Sequence, residues 1–125
     1  LPITLEELDG FYEIHTETED TGARVDGDGR TEIKNGFTFR KDKNGFIWES
    51  QFTIADSEGV WMKSTIDPSH ATDTSKFIFD ENGNPTKAMM TYKTFLKVRR
   101  LDGRLILEGR IHHGDVATKL VMTKV

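Results

Sequence analysis

The sequence predicts an all-β fold: a single antiparallel up-and-down β-barrel of about eight strands, preceded by a short N-terminal helical turn. Three observations predict it. Turn signatures recur at short intervals, at Asp26-Gly27-Asp28-Gly29, Asn35-Gly36, Asn44-Gly45, Asn82-Gly83-Asn84-Pro85, Asp102-Gly103 and His113-Gly114-Asp115. Asn-Gly and Asp-Gly supply the positive φ angles of tight hairpins. Between the turns run segments rich in Phe, Ile, Val, Thr, Tyr and Trp that alternate apolar with polar residues. Each of these has one apolar face only, so one sheet has to cover one interior. A barrel does so while removing exposed edges.

Thr4 to Leu8 reads as the helical turn, with Thr4 placed to cap it and Glu7 three residues on. Strands are expected at about 10–18, 31–41, 45–54, 59–66, 76–80, 86–100, 104–113 and 116–124. The second is expected to bulge at Asn35-Gly36, where its alternation shifts by one residue. Two connections are longer: an acidic, Gly-rich one from Glu19 to Arg30, and one from Asp67 to Ser75 with Pro68, His70 and Thr72. No linker or low-complexity tract interrupts the chain, so residues 1–125 read as one barrel domain.

Alternation assigns the faces. Phe46, Trp48, Ser50, Phe52 and Ile54 fall on one face of their strand, opposite Glu49, Gln51 and Thr53, and must be inside. Val60, Met62, Ser64 and Ile66 follow, with Trp61 and Lys63 outside. Ala88, Met90, Tyr92, Thr94, Leu96 and Val98 point in, as do Leu105, Leu107, Gly109, Ile111 and His113. Val116, Thr118, Leu120 and Met122 join them, with Tyr12, Ile14 and Thr16 on the first strand. Phe37, Phe39, Phe77 and Phe79 complete the expected interior. That interior carries many polar atoms. A buried hydroxyl without a partner costs on the order of 1–3 kcal/mol, so each must meet another, the backbone, water or a ligand.

Bulk composition narrows the function classes. Net charge is −4 with Lys and Arg scattered, so no nucleic-acid footprint is expected; Lys97, Arg99 and Arg100 read as a solvated strand end. The absence of cysteine excludes disulfides, thiolate metal sites and cysteine nucleophiles. No apolar run approaches a membrane span. The first residue is Leu1 rather than Met, which fits a removed leader or a trimmed start; a soluble protein, cytoplasmic or exported, fits both. Asp26-Gly-Asp-Gly, Asp42-Lys-Asn-Gly and Asp80-Glu-Asn-Gly-Asn begin like calcium loops, but Phe37, Thr53 and Thr91 stand where a bidentate Glu is needed. They read as hairpin turns.

Leu8-Asp9-Gly10-Phe11-Tyr12-Glu13-Ile14 resembles the helix-turn, Gly and aromatic that open a lipocalin first strand, with Tyr12 where lipocalins usually carry Trp. Leu120-Val121-Met122-Thr123-Lys124-Val125 resembles a closing strand. The chain thus looks like a calycin, the superclass of lipocalin-like and avidin-like barrels. The resemblance implies a barrel carrying a small hydrophobic or aromatic ligand.

Three functions remain open. In the first, a small, mainly hydrophobic or aromatic ligand occupies a cavity bounded by Tyr12, Thr16, Trp48, Ser50, Phe52, Met62, Ser64, Tyr92, Thr94, Ile111, His113 and Thr118. In the second, a small isomerase, cyclase or lyase uses His113, the only candidate acid or base on the inward face. In the third, the interior is filled, and outward Trp61, Phe95 and Ile106 bind a partner or a second copy as a homodimer. No cofactor is implied. His15, His70, His112 and His113 show no zinc spacing, and no metal site is expected.

Overall fold

The computed structural model describes residues 2–18, 29–56 and 58–125; the side chains of Thr18, His113 and Val116 lie outside that description. Helix α1 (Leu5–Leu8) is a single turn, and its Thr4 cap accepts a hydrogen bond from the Glu7 N–H at 3.1 Å. Strands β1 (Gly10–Thr18), β2 (Gly29–Ile33), β3 (Phe37–Lys41), β4 (Ile47–Asp56) and β5 (Gly59–Asp67) follow. Next come a small hairpin, β6 (Ile78–Phe79) and β7 (Pro85–Thr86), and then β8 (Met90–Leu101), β9 (Arg104–His113) and β10 (Val116–Lys124). Eight strands form one antiparallel sheet in the order β2-β1-β10-β9-β8-β5-β4-β3. Its two outermost strands meet through a Lys34–Phe37 bridge and a contact between the Thr31 and Thr38 hydroxyls. The sheet therefore curls into an almost closed up-and-down barrel.

The barrel has the expected number of strands, but two of them are not the expected ones. Segment 31–41 is not one bulged strand. Asn35 (φ 53) and Gly36 (φ 78) reverse the chain as a two-residue hairpin turn. Cross-strand partners share a face, so Phe37 lies on the outward face of its partner Lys34, and Thr38 and Arg40 turn inward. Phe37 and Phe39 are accordingly 55% and 64% exposed, not interior. Segment 76–80 is not a barrel strand either. Its Ile78 and Phe79 pair with Thr86 and Pro85 outside the main sheet, leaving Phe77 exposed and Phe79 buried.

Smaller corrections fall at strand ends. Ile54 is exposed because the β4–β5 register slips between Ile54 and Asp56, and Ala88 is exposed because β8 begins only at Met90. Ile106 points outward yet is buried, between its cross-strand partners Arg99 and Thr123. It adds nothing to an exposed patch. Trp61 and Phe95 are instead a cross-strand pair, edge to face at 5.2 Å, with Lys93 Nζ 4.9 Å above the indole. Phe95 lies across Gly59, where any Cβ would overlap its ring. The expected turn at Asp26-Gly27-Asp28 and most of the acidic 19–30 connection lie outside the described residues.

Each end of the barrel is latched by a tyrosine. At one end α1 forms a plug, with Leu8 and Ile3 buried and the Tyr12 hydroxyl donating to the Leu8 carbonyl at 2.5 Å. Arg100 grips the Glu7 carboxylate through Nη2 at 2.7 Å and Nε at 3.1 Å, which holds that carboxyl below its ordinary range. Lys124 Nζ donates to the Glu7 carbonyl at 2.5 Å. At the other end the chain between β5 and β8 crosses the barrel. Its His70 carbonyl oxygen lies 2.9 Å from where a Cβ on Gly45 would sit, and its Glu81 carbonyl accepts the Gly114 N–H at 2.9 Å. Ile78 is buried in the main core, and the Tyr92 hydroxyl donates to the Phe79 carbonyl.

Burial, with nearby carboxylates adding to it, pushes the Tyr12 hydroxyl well above its ordinary range and that of Tyr92 up to about 12. Both must stay neutral while the latches hold. A pKa raised on folding contributes stability that is complete below the unfolded value near 10 and is lost as pH rises through the folded value. The sequence contains only these two tyrosines, so phenolate absorbance reads them cleanly. Folded protein is expected to show almost none at pH 10.5, and urea-unfolded protein to show roughly three-quarters of full ionisation for an ordinary phenol. A native titration near pH 10 would contradict the latches.

Candidate functional site

Between the α1 plug and the crossing segment the barrel is not filled. A cavity of about 40 Å³ remains, bordered by inward side chains of β1 to β5, β9 and β10. One water requires roughly 10–15 Å³, so the space exceeds a single solvent site. Its walls are mostly apolar: Ile14, Phe52, Met62, Ile66, Ile111, Leu120 and Met122, with Trp48 half-buried among them. The lining follows from period-two alternation on strands whose inward positions carry these residues.

Hydroxyls interrupt that lining, and their partners can be traced. Ser50 and Ser64 are directly opposite in the β4–β5 register, and their Oγ atoms lie 2.6 Å apart. Thr31 and Thr38 pair across the β2–β3 closure. Thr118 on β10 differs. It is 1% exposed, it borders the cavity, and among the described residues its Oγ1 is the buried side-chain polar atom with no hydrogen-bond partner. Arg40 is the charged residue of the lining. It sits half-buried at the end of β3, with its guanidinium beside Gly29, where a Cβ would lie 3.3 Å from Nη1.

Trp48 is fixed from outside the cavity. Its Nε1–H donates to Asp42 Oδ2 at 2.9 Å, while Asp42 Oδ1 accepts the N–H groups of Asn44 at 2.9 Å and Phe46 at 3.0 Å. This buried carboxylate is thus occupied in shaping the β3–β4 turn. Asp80 does the same for the N–H groups of Asn82 and Asn84, both at 2.9 Å. The calcium-like motifs at Asp42 and Asp80 are side-chain-capped turns. Among the described residues, no group of three or more His, Asp or Glu is placed to hold a metal.

Eight of the residues singled out from sequence come together at the cavity: Thr16, Trp48, Ser50, Phe52, Met62, Ser64, Ile111 and Thr118. Three do not border it. Tyr12 and Tyr92 spend their hydroxyls on the latches, and Thr94 is buried on β8, which contributes nothing to the lining. The His113 side chain lies outside the described residues. Sequence reasoning had placed Ile14, Ile66, Leu120 and Met122 inside without assigning them to the site. It missed Thr31, Thr38 and Arg40, and the Asn35-Gly36 hairpin signal was the means of finding the last two.

His15 and His112 are exposed, and His70 Nε2 is 3.7 Å from Asp67 in the crossing segment. No described helix is long and apolar enough to cross a membrane. Comparison with protein-family models, curated proteins and solved structures finds no match.

The hydroxyl network makes opposite demands at two positions. Ser64→Ala should destabilise by about 1–3 kcal/mol, because it strands the buried Ser50 hydroxyl. Replacing both serines by alanine should then cost less than the sum of the single changes. Thr118→Val should be neutral or stabilising by about 1 kcal/mol, since it removes an unsatisfied group. Urea denaturation of the four variants checks the pattern, and a destabilised Thr118→Val would show a partner for that hydroxyl.

Proposed function

We propose that residues 1–125 act as one lipocalin-like barrel domain of calycin type, binding a small, mainly hydrophobic or aromatic ligand in this cavity. The observation that carries the reading is Thr118: a fully buried hydroxyl with no hydrogen-bond partner among the described residues, bordering a mostly apolar space. Left alone it costs stability, and a ligand with one polar atom repays that cost while its apolar body covers the rest. At about 40 Å³ the space takes a short branched chain, and a single ring, which occupies a cavity of roughly 150 Å³, enters only where the lining side chains move.

Trp48 borders the cavity and Trp61 lies on the outer face, so Trp61→Phe leaves one reporter at the site. Single-ring apolar compounds should change the fluorescence of the Trp61→Phe protein saturably. Leu120→Trp, which fills the cavity, should abolish the response. Absence of any saturable change across such a set would remove the binding role.

A further inference from the structure

The outer face of β5 and β8 carries an arrangement that disfavours folding and that the cavity does not use. Lys63 on β5 stands directly opposite Lys93 on β8. Like charges in that position destabilise a sheet. Lys97 follows Lys93 on the same outward face, beyond Phe95. All three lysines are exposed, and none forms an ion pair among the described residues. Glu108, the carboxylate opposite Lys97, is held instead by Arg99 at 3.1 Å and by Lys119 at 3.6 Å. The whole chain carries −4, so this cationic face stands against an acidic remainder. Charge divided in that way orients a molecule toward an anionic partner. Between the lysines lies the aromatic pair: the Trp61–Phe95 row falls between the Lys63–Lys93 row and the Gly59–Lys97 row. The two rings keep 38% and 40% of their surface in solvent, and Phe95 fills the space that any side chain at Gly59 would need, which seats the pair.

We propose that this face docks the protein on an anionic lipid surface. The lysines supply attraction to acidic headgroups, Trp61 places an indole at the level where that ring partitions best, and Phe95 adds apolar area beside it. Neutralising headgroups would also relieve the repulsion between Lys63 and Lys93. Single-stranded nucleic acid is the rival anion, and it binds by stacking bases on aromatic faces. The indole has no such face to spare. Lys93 Nζ lies 4.9 Å above it, and Phe95 meets it edge to face at 5.2 Å, so a base stacks there only by displacing Lys93. A lipid interface asks for charge and half-exposed rings, and for no stacking face. The docking role is independent of what the cavity binds.

Co-sedimentation with vesicles tests this on the whole chain. Vesicles of mixed phosphatidylcholine and phosphatidylserine should bind the protein at about 0.05 M salt and release it at about 1 M, where charges are screened within about 3 Å. Each lysine near such a surface is worth about five-fold, so Lys63→Gln, Lys93→Gln and Lys97→Gln together should weaken binding roughly a hundred-fold. Lys34→Gln, Lys41→Gln and Lys76→Gln together remove the same charge from other exposed positions, and should weaken it by less than about five-fold. Binding should shift the tryptophan emission to the blue, and Trp61→Phe should abolish that shift while Trp48 remains. The proposal is overturned by no binding to the mixed vesicles at low salt, or by equal binding to pure phosphatidylcholine. Equal losses in the two triple variants, or a blue shift that persists in Trp61→Phe, overturn it as well. Tighter binding to an oligothymidylate than to the vesicles would give the face to nucleic acid instead.

Discussion

The fold depends on the way the Asp9 carboxylate holds the Asn35-Gly36 turn. Asp9 accepts the Asn35 N–H at 2.8 Å and the Gly36 N–H at 3.1 Å, and the Gly36 carbonyl accepts the Phe52 N–H at 2.7 Å. Charge-assisted bonds of this kind are about twice as strong as neutral ones. They tie the β2–β3 hairpin to the start of β1 on one side and to β4 on the other. A hairpin free to swing would leave two open sheet edges, and one held here closes the barrel. Gly36 is required for its positive φ and for the close approach of the Phe52 carbonyl, 3.2 Å from where a Cβ would sit.

Closure also sets parity, and this separates what the sequence made legible from what it did not. On β4, β5, β8, β9 and β10 each strand alternates strongly enough to orient itself, and the interior positions there match the expected ones except at frayed ends. Thr31-Glu-Ile-Lys-Asn-Gly-Phe-Thr-Phe-Arg40 has two consistent readings. As one bulged strand it buries Phe37 and Phe39; as a hairpin it buries Thr38 and Arg40. Local hydrophobicity favours the first, while turn chemistry and closure favour the second. The second prevails because the Asp9 and Phe52 anchors act only on a reversed chain. The latching roles of Tyr12 and Tyr92 were illegible for another reason. Alternation fixes that a tyrosine points inward but not which distant carbonyl it meets.

The polar interior follows from register. Hydroxyls that fall opposite one another on adjacent strands satisfy each other, as Ser50 and Ser64 do, and those near an end of the barrel reach a backbone carbonyl in the covering segment. Thr118 lies opposite Ile111 on β9 and Thr18 on β1, away from both latches, and its hydroxyl has no partner among the described residues. The unsatisfied hydroxyl and the cavity therefore have a common origin. Both occur where inward side chains are too few or too apolar to fill and bond the space.

Energetics argue that this space is not a packing accident. Burying a phenylalanine is worth roughly 1.5–3 kcal/mol, and Phe37 and Phe39 are both left mainly in solvent. Had the 31–41 segment kept its locally favoured parity, two rings would point at the volume now bordered by Thr38 and Arg40. The chain forgoes about 2–4 kcal/mol of potential burial, the exposed share of the two rings, and places a hydroxyl and a cation in the interior instead. A core optimised for stability alone would do the reverse. Local rules broken together at one place are expected at a site, where the lost burial is offset by what the site binds. Arg40 is the sharpest instance, because a charged side chain stands half-buried at a place that local hydrophobicity alone would give to a ring.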